Sequence, residues 1–320
     1  VRSLNLGWYE HVALAALYAK CGNAAEAERY RAIALRPTDR LSVMLMIGGI
    51  VGLVGCGLLF VATVIALTRR GGGRPVFDVP PLPEVAARVL VFAAAAYFGG
   101  LVVLRLCAAP LAGLLTGRIH DMQTLITCEA VLNIVAGLLS LVAPAAVLVY
   151  MGRRIGLTAA DIGLGRLRPL SHPLAGIAGY CAVTPLLLIS VVVSGILFEP
   201  STSPMNPAAM EFALAQGVAP RVLLTILGCV MAPFTEELVF RGIFLRALQP
   251  ANGFLGAAVL TSLVFALLHP QLPAGFLSIF VLGLAFSLLY GLTRSLWPSM
   301  VAHAINNGLV FVYLSLWLGK

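Results

Sequence analysis

The stretch Ala232-Pro233-Phe234-Thr235-Glu236-Glu237-Leu238-Val239-Phe240-Arg241-Gly242 sets two carboxylates and an arginine inside a long apolar run. An ionised side chain at bilayer depth costs about 2.5 to 3.5 kcal/mol even on the lenient insertion scales, so residues of this kind are kept there for chemistry. Glu236 and Glu237 lie well inside the run and are too short to snorkel to the headgroups. The rest of the chain is therefore searched for groups that join them.

Composition makes this run one of several membrane helices. Of 320 residues, 60% are hydrophobic and 11% charged, against about 25% charged in an ordinary soluble domain. Apolar runs fall at about 41–68, 85–115, 124–151, 174–197, 221–248, 255–269, 275–292 and 297–318. They predict an all-α, polytopic transmembrane bundle of about eight spans. The runs 255–269 and 275–292 are short, and short spans often mark sites.

The formal net charge is +8, but it is not spread as a nucleic-acid footprint. Arginines gather in short loops: Arg69, Arg70 and Arg74, then Arg153, Arg154, Arg166 and Arg168, then Arg246 and Arg294. That is the positive-inside pattern, which places those loops on the cytoplasmic side and argues against nucleic acid as a partner. Arg29, Arg31, Arg36 and Arg40 stand just before the first span and pull against the external N-terminus that eight spans imply. Cys56, Cys107, Cys128, Cys181 and Cys229 sit singly in apolar runs, without metal-ligand spacing, and read as small core residues. The first apolar run, from Leu41, is too long for a secretory h-region.

Three parts are expected. Residues 1–40 are a polar helical segment, a short hairpin turning at Cys21-Gly22-Asn23 whose Leu14, Ala15, Tyr18, Gly22, Ala27 and Ala34 resemble one tetratricopeptide repeat. A single repeat does not bury its own apolar face, so this segment is the remnant of a longer array, a cap on the membrane domain or a chance likeness; a protein partner acting through it is the accompanying expectation. Residues 41–123 hold N-terminal transmembrane helices and the Gly71 to Pro83 linker. Residues 124–320 form the membrane core. Within it, Gly156 to Pro169 is read as a short surface helix capped by Thr158, and Leu197 to Pro220 as the longest loop of the second half.

Glu237 and Arg241 are four residues apart with the acid first, the better orientation for an ion pair on one helix face. Glu236 lies about 100° round the helix and is left free to face a cavity as a base. The run that follows ends Phe265-Ala266-Leu267-Leu268-His269-Pro270. Counted from the turn at Asn252-Gly253, Glu236 is about sixteen residues back and His269 about as far forward, so an antiparallel hairpin brings both to one depth. Phe265, one turn before His269, packs beneath the imidazole. The last run carries His303 and Asn307 on one face, with Asn306 beside them. Counted from Trp297-Pro298, His303 is only about six residues in, a depth that does not match His269 across the short seventh span unless Pro270-Gln271-Leu272-Pro273 lies within the membrane. Arg105 and Glu129, on the second and third runs, read as a structural pair.

Glu236-Glu237-x-x-x-Arg241, Phe265-x-x-x-His269 and His303-x-x-x-Asn307, in that order, resemble the three motifs of the CPBP family. These are the type II CAAX prenyl proteases and the bacteriocin-processing or self-immunity proteins, also called the Abi family. The match covers about residues 150–318. The resemblance implies an integral, multi-pass intramembrane endopeptidase of the cell membrane, acting on a membrane-anchored peptide or protein. Glu236 would activate water, His269 and His303 would orient that water or polarise the carbonyl, and Asn307, or Asn306 in its place, would donate to the oxyanion. Glu237, Arg241 and Phe265 support them.

No cofactor is expected. The family is often described as metalloproteases by analogy, and a zinc ion on the two histidines and the glutamate is the alternative, though no HExxH motif is present. A non-catalytic immunity or scaffold protein on the same fold is the reading from another class.

Overall fold

The computed structural model describes residues 23–34, 79–116, 121–198 and 206–318, with short pieces at 14, 18, 51–52, 55–56, 77 and 119. All regular structure among the described residues is helical. In chain order the helices are α1 (Ala24–Ala34), α2 (Glu84–Thr116), α3 (Met122–Ser140), α4 (Val142–Val147), α5 (Ser171–Leu197), α6 (Pro207–Leu214), α7 (Val218–Ile226), α8 (Ala232–Glu237), α9 (Arg246–Leu267), α10 (Phe276–Thr293) and α11 (Leu296–Leu318). π-helical turns at Leu148–Gly152, Leu227–Met231 and Leu238–Leu245 continue α4, join α7 to α8, and join α8 to α9.

Among the described residues, five segments are long and apolar enough to cross a membrane: Glu84–Leu104, Gln123–Ile155, Ser171–Leu197, Val218–Leu267 and Phe276–Thr293. The fourth, of 50 residues, reverses at Gly253, whose φ of 65° and ψ of 174° break the helix. It therefore supplies two passes, as the Asn252-Gly253 turn led one to expect. α11 has 23 residues, long enough for a crossing at about 1.5 Å per residue. The protein is an integral membrane protein with a polytopic helical bundle.

The first span, expected at 41–68, lies outside the described residues apart from 51–52 and 55–56. At that point a Cβ on Gly55 would stand 1.9 Å from the Cys181 carbonyl of α5. Pro185, inside α5, has no N–H to offer that carbonyl, and only a glycine approaches so near. In the N-terminal segment, Leu14 and Tyr30 form a small apolar cluster with Tyr18 packed on it, and the Tyr18 and Tyr30 rings stack at 5.5 Å. The Arg105 side chain lies outside those described.

Small residues bring the helices of the second half together, as lipid-embedded packing requires. A Cβ on Gly176 of α5 would meet the Pro298 carbonyl of α11 at 2.7 Å, and one on Gly283 of α10 would meet Ser262 of α9 at 3.1 Å. Two apolar clusters fill the space between. Leu245, Ala257, Ala258, Tyr290, Leu296 and Met300 gather round the start of α11, and Leu224, Phe212, Phe311 and Leu314 gather further along it.

Two expectations are corrected. Residues 156–169 form turns, not a surface helix, because Gly156 and Gly163 take left-handed φ values of 73° and 82° that interrupt helical bonding. Thr158 does make a cap-like contact, its N–H donating to Asp161 Oδ2 at 2.7 Å, but the contact closes one turn only. Ile162 is drawn into the core beside Leu90, Ala93 and Ile243. The stretch from Leu197 to Pro220 holds a helix, α6, where Asn206 caps the N–H groups of Ala208 and Ala209 and Pro207 takes the first helical position.

Candidate active site

Glu236 and Glu237 end α8, between two π-helical turns. A π turn bonds each N–H to the carbonyl five residues back, which widens the helix and re-aims its side chains. Arg241 Nη1 donates to Glu237 Oε1 at 2.7 Å, with both side chains wholly buried. Arg241 Nη2 donates to the Gly283 carbonyl at 2.8 Å, and its Nε to Ser287 Oγ at 3.4 Å. The guanidinium lies 4.7 Å over the Phe265 ring and 5.4 Å over that of Phe286, a favourable place for a desolvated cation.

His269 and His303 approach Glu236 from different helices. His269 Nδ1 meets the Phe265 carbonyl at 2.6 Å, and its ring lies against Phe265 with centroids 4.4 Å apart. Its Nε2 stands 4.0 Å from Glu236 Oε2. His303 Nδ1 meets Glu237 Oε1 at 3.0 Å and its Nε2 stands 3.7 Å from Glu236 Oε2. The His303 ring stacks on Phe286 at 4.9 Å. A carbonyl or a carboxylate only accepts, so each Nδ1 carries a proton, and a ring holding that one proton turns a bare Nε2 towards Glu236. Glu236 Oε2 is itself buried and has no hydrogen-bond partner. Three acceptors thus converge on one point.

Asn307 is one turn beyond His303 on α11. Its Nδ2 donates to the Gly228 carbonyl, in the π turn before α8, at 2.8 Å. Asn306 Nδ2 donates to Asn307 Oδ1 at 3.2 Å. Asn307 therefore keeps one N–H, and Asn306 braces it.

Counting along the sequence placed His303 too shallow, and the packing at the start of α11 explains why. Leu296 is fully buried, its N–H donates to the Gly163 carbonyl at 3.0 Å, and its side chain abuts Gly242. α11 thus starts level with Gly242, deep in the bundle, and not at the level of the Gly253 turn. Six residues back from Gly242 is Glu236, and seven forward from Leu296 is His303, about 9 and 10 Å along their helices. Residues Phe286, Ser287 and Gly283 of α10 escaped the sequence reading. A glycine and a serine four apart on one face of an apolar span were the available signal.

A tetrahedral zinc with ligands at about 2.1 Å sets its donor atoms about 3.4 Å apart. Glu236 Oε2 stands 3.7 and 4.0 Å from the two imidazole nitrogens, and among the described residues no three His, Cys, Asp or Glu side chains gather at metal-holding distance. The donor types suit zinc, the spacing as built does not, and no step below passes through a metal.

Bundle and site together define a membrane protein with a glutamate and two histidines meeting inside its helices. Residues 217–309 match the family model described as "Type II CAAX prenyl endopeptidase Rce1-like". The chain is also 30% identical over 90 residues to the "Putative membrane peptidase YdiL" of Bacillus subtilis (strain 168), an alignment that takes in 28% of this chain and 36% of that protein. The chain thus spans about a third of this relative's length. No solved structure matches. The segment matched by the family model carries all three motifs, Glu236-Glu237-x-x-x-Arg241, Phe265-x-x-x-His269 and His303-x-x-x-Asn307, and agrees with the resemblance they gave.

Proposed function

We propose that this protein is an intramembrane endopeptidase that hydrolyses a peptide bond of a membrane-anchored substrate with water activated by Glu236. The observation that carries this reading is the unpartnered Glu236 Oε2, 3.7 and 4.0 Å from the Nε2 atoms of His303 and His269. A water placed among three acceptors gives one proton to Glu236 as its oxygen attacks the carbonyl carbon. Glu237 fixes the tautomer of His303, and Phe265 that of His269. The negative charge on the carbonyl oxygen is met by the remaining N–H of Asn307. Glu236 then passes its proton to the leaving nitrogen, the C–N bond breaks, and the new carboxylic acid gives its remaining proton to the amine, so that a carboxylate and an ammonium result and Glu236 is again ionised.

The proposed substrate is a peptide or protein held at the bilayer, with a prenylated CAAX tail as one form, a reading supported by the family model and the bundle. The proposed location is the cell membrane, and residues 1–40 are proposed to present a surface to a protein partner. The reaction is proposed to need no metal.

The test compares membrane-peptide profiles from cells carrying wild-type and Glu236→Gln protein, and repeats the cleavage found with purified protein and a chelator. Fragments that require Glu236 and persist under chelation support the reading. Identical profiles would point to a non-catalytic scaffold, and activity lost to chelator and restored by stoichiometric zinc would point to the metal-dependent version.

A further inference from the structure

The relative height of Glu236 and His303 is set at one short turn. Residues 161–165 pass between the helical run that carries Glu236 and the start of α11, and their carbonyls reach both sides. On the first side, the Asp161 carbonyl accepts from Arg246 Nε at 3.2 Å, and a Cβ on Gly242 would stand 2.8 Å from the Ile162 carbonyl. On the second, the Gly163 carbonyl accepts the Leu296 N–H at 3.0 Å, and the Gly165 carbonyl accepts from Trp297 Nε1 at 2.8 Å. The turn is a bracket joined to both helices.

Arg246 is the polar anchor on the Glu236 side. It opens α9 one turn past Gly242 and is 3% exposed. Its Nη1 donates to the Pro80 carbonyl at 2.8 Å and to Gln249 Oε1, and Gln249 Nε2 donates to the Val79 carbonyl at 2.6 Å. One rigid fork thus ties the bracket and the segment before α2 to the start of α9. The Asp161 carboxylate is turned back on Thr158, whose N–H and hydroxyl donate to Oδ2 at 2.7 and 2.6 Å. The turn closes on its own, and Arg246 decides where it sits. Leu296 and Trp297 begin α11, and His303 follows Leu296 by seven residues, about 10 Å along the helix. A slip at the bracket is therefore carried to the 3.7 Å gap between His303 Nε2 and Glu236 Oε2. His269 does not depend on it, because its Nδ1 is held by the Phe265 carbonyl of its own helix.

We propose that Arg246 is a positioning residue for His303: by gripping the 161–165 turn, it holds α11 at the height that sets His303 Nε2 opposite Glu236. This inference rests on the reading of Glu236 as the base. It also brings the 161–165 turn and Val79-Pro80 into the active unit, although both precede residues 217–309, the segment matched by the family model.

Arg246→Lys keeps the charge but exchanges the fork for a single point. Trp297→Phe keeps a ring and removes the N–H that holds the same turn from α11. In protein labelled with ¹⁵N-histidine, the NMR signals of His303 and His269 are assigned by their loss in His303→Gln and His269→Gln. The His303 signal should shift in Arg246→Lys, and by less in Trp297→Phe, while that of His269 stays in place. On a cleaved substrate, kcat should fall about tenfold or more in Arg246→Lys with KM little changed, since a misplacement of about 1 Å can cost about 10²-fold. Trp297→Phe decides the point if Arg246→Lys does not fold. A His303 signal unmoved in the folded variant, or equal shifts of both histidines, overturns the proposal. The NMR readout needs no substrate, so it decides this point even if Glu236→Gln shows that the protein is no protease.

Discussion

The pocket around Glu237 and the cleft at Glu236 begin one residue apart on the same helix and differ in almost everything else. In the pocket, Glu237 and Arg241 are wholly buried, and the arginine is matched by a carboxylate, a backbone carbonyl and a hydroxyl. In the cleft, the Glu236 side chain keeps 27% of its exposure and that of His269 keeps 22%, and the carboxylate oxygen between the imidazoles has no hydrogen-bond partner. Each acid keeps one buried oxygen without a hydrogen-bond partner; the difference is that Glu237 is held through its other oxygen by Arg241 and His303, whereas Glu236 has no arginine or lysine beside it among the described residues. The bundle buries one acid with its cation and leaves the other partly exposed beside two imidazoles. His303 joins the two regions, with one nitrogen on each glutamate.

The comparison is broken most severely from the buried side. Arg241→Met keeps the volume but leaves Glu237 as a buried charge without its cation. Removing one partner of a buried pair costs about 3 to 5 kcal/mol, so a large drop in the melting temperature of detergent-purified protein is expected. A variant as stable as wild type would show that the pair is not structural.

A smaller effect sharpens the contrast, because a third acid stands outside the spans. Glu211 of α6 has its carboxyl pushed up from 4.5 to about 7, first by burial and then by Glu129. A carboxyl that holds its proton more tightly when folded makes the folded state bind more protons between those two values, so stability falls as pH rises through that window. Glu211→Gln should therefore melt above wild type at pH 8 and together with it at pH 4. Equal melting at both pH values would remove the claim that Glu211 is strained.

Much of this was legible in the sequence, and the failures have physical causes. The pairing of Glu237 with Arg241 and the depth match of Glu236 with His269 followed from helical spacing and one glycine turn. His303 did not follow, because its depth is set by Leu296 packing on Gly242, a tertiary contact that residue counting does not contain. The turns at 156–169 belong to the same contact, since Gly163 supplies the carbonyl that seats Leu296. Asn307 was found by its motif, but its bond to Gly228 depends on a π turn that apolar periodicity does not signal.

The central claim is the division of labour between the two neighbouring acids, and one paired measurement tests it most directly. Purified Glu236→Gln and Glu237→Gln are compared with wild type for thermal stability and for cleavage of a substrate found by membrane-peptide profiling. The account predicts that Glu236→Gln melts like wild type and loses cleavage by about 10²-fold or more, while Glu237→Gln melts well below it because Arg241 is left buried without its carboxylate. A Glu236→Gln protein that still cleaves, or that loses as much stability as Glu237→Gln, would contradict it.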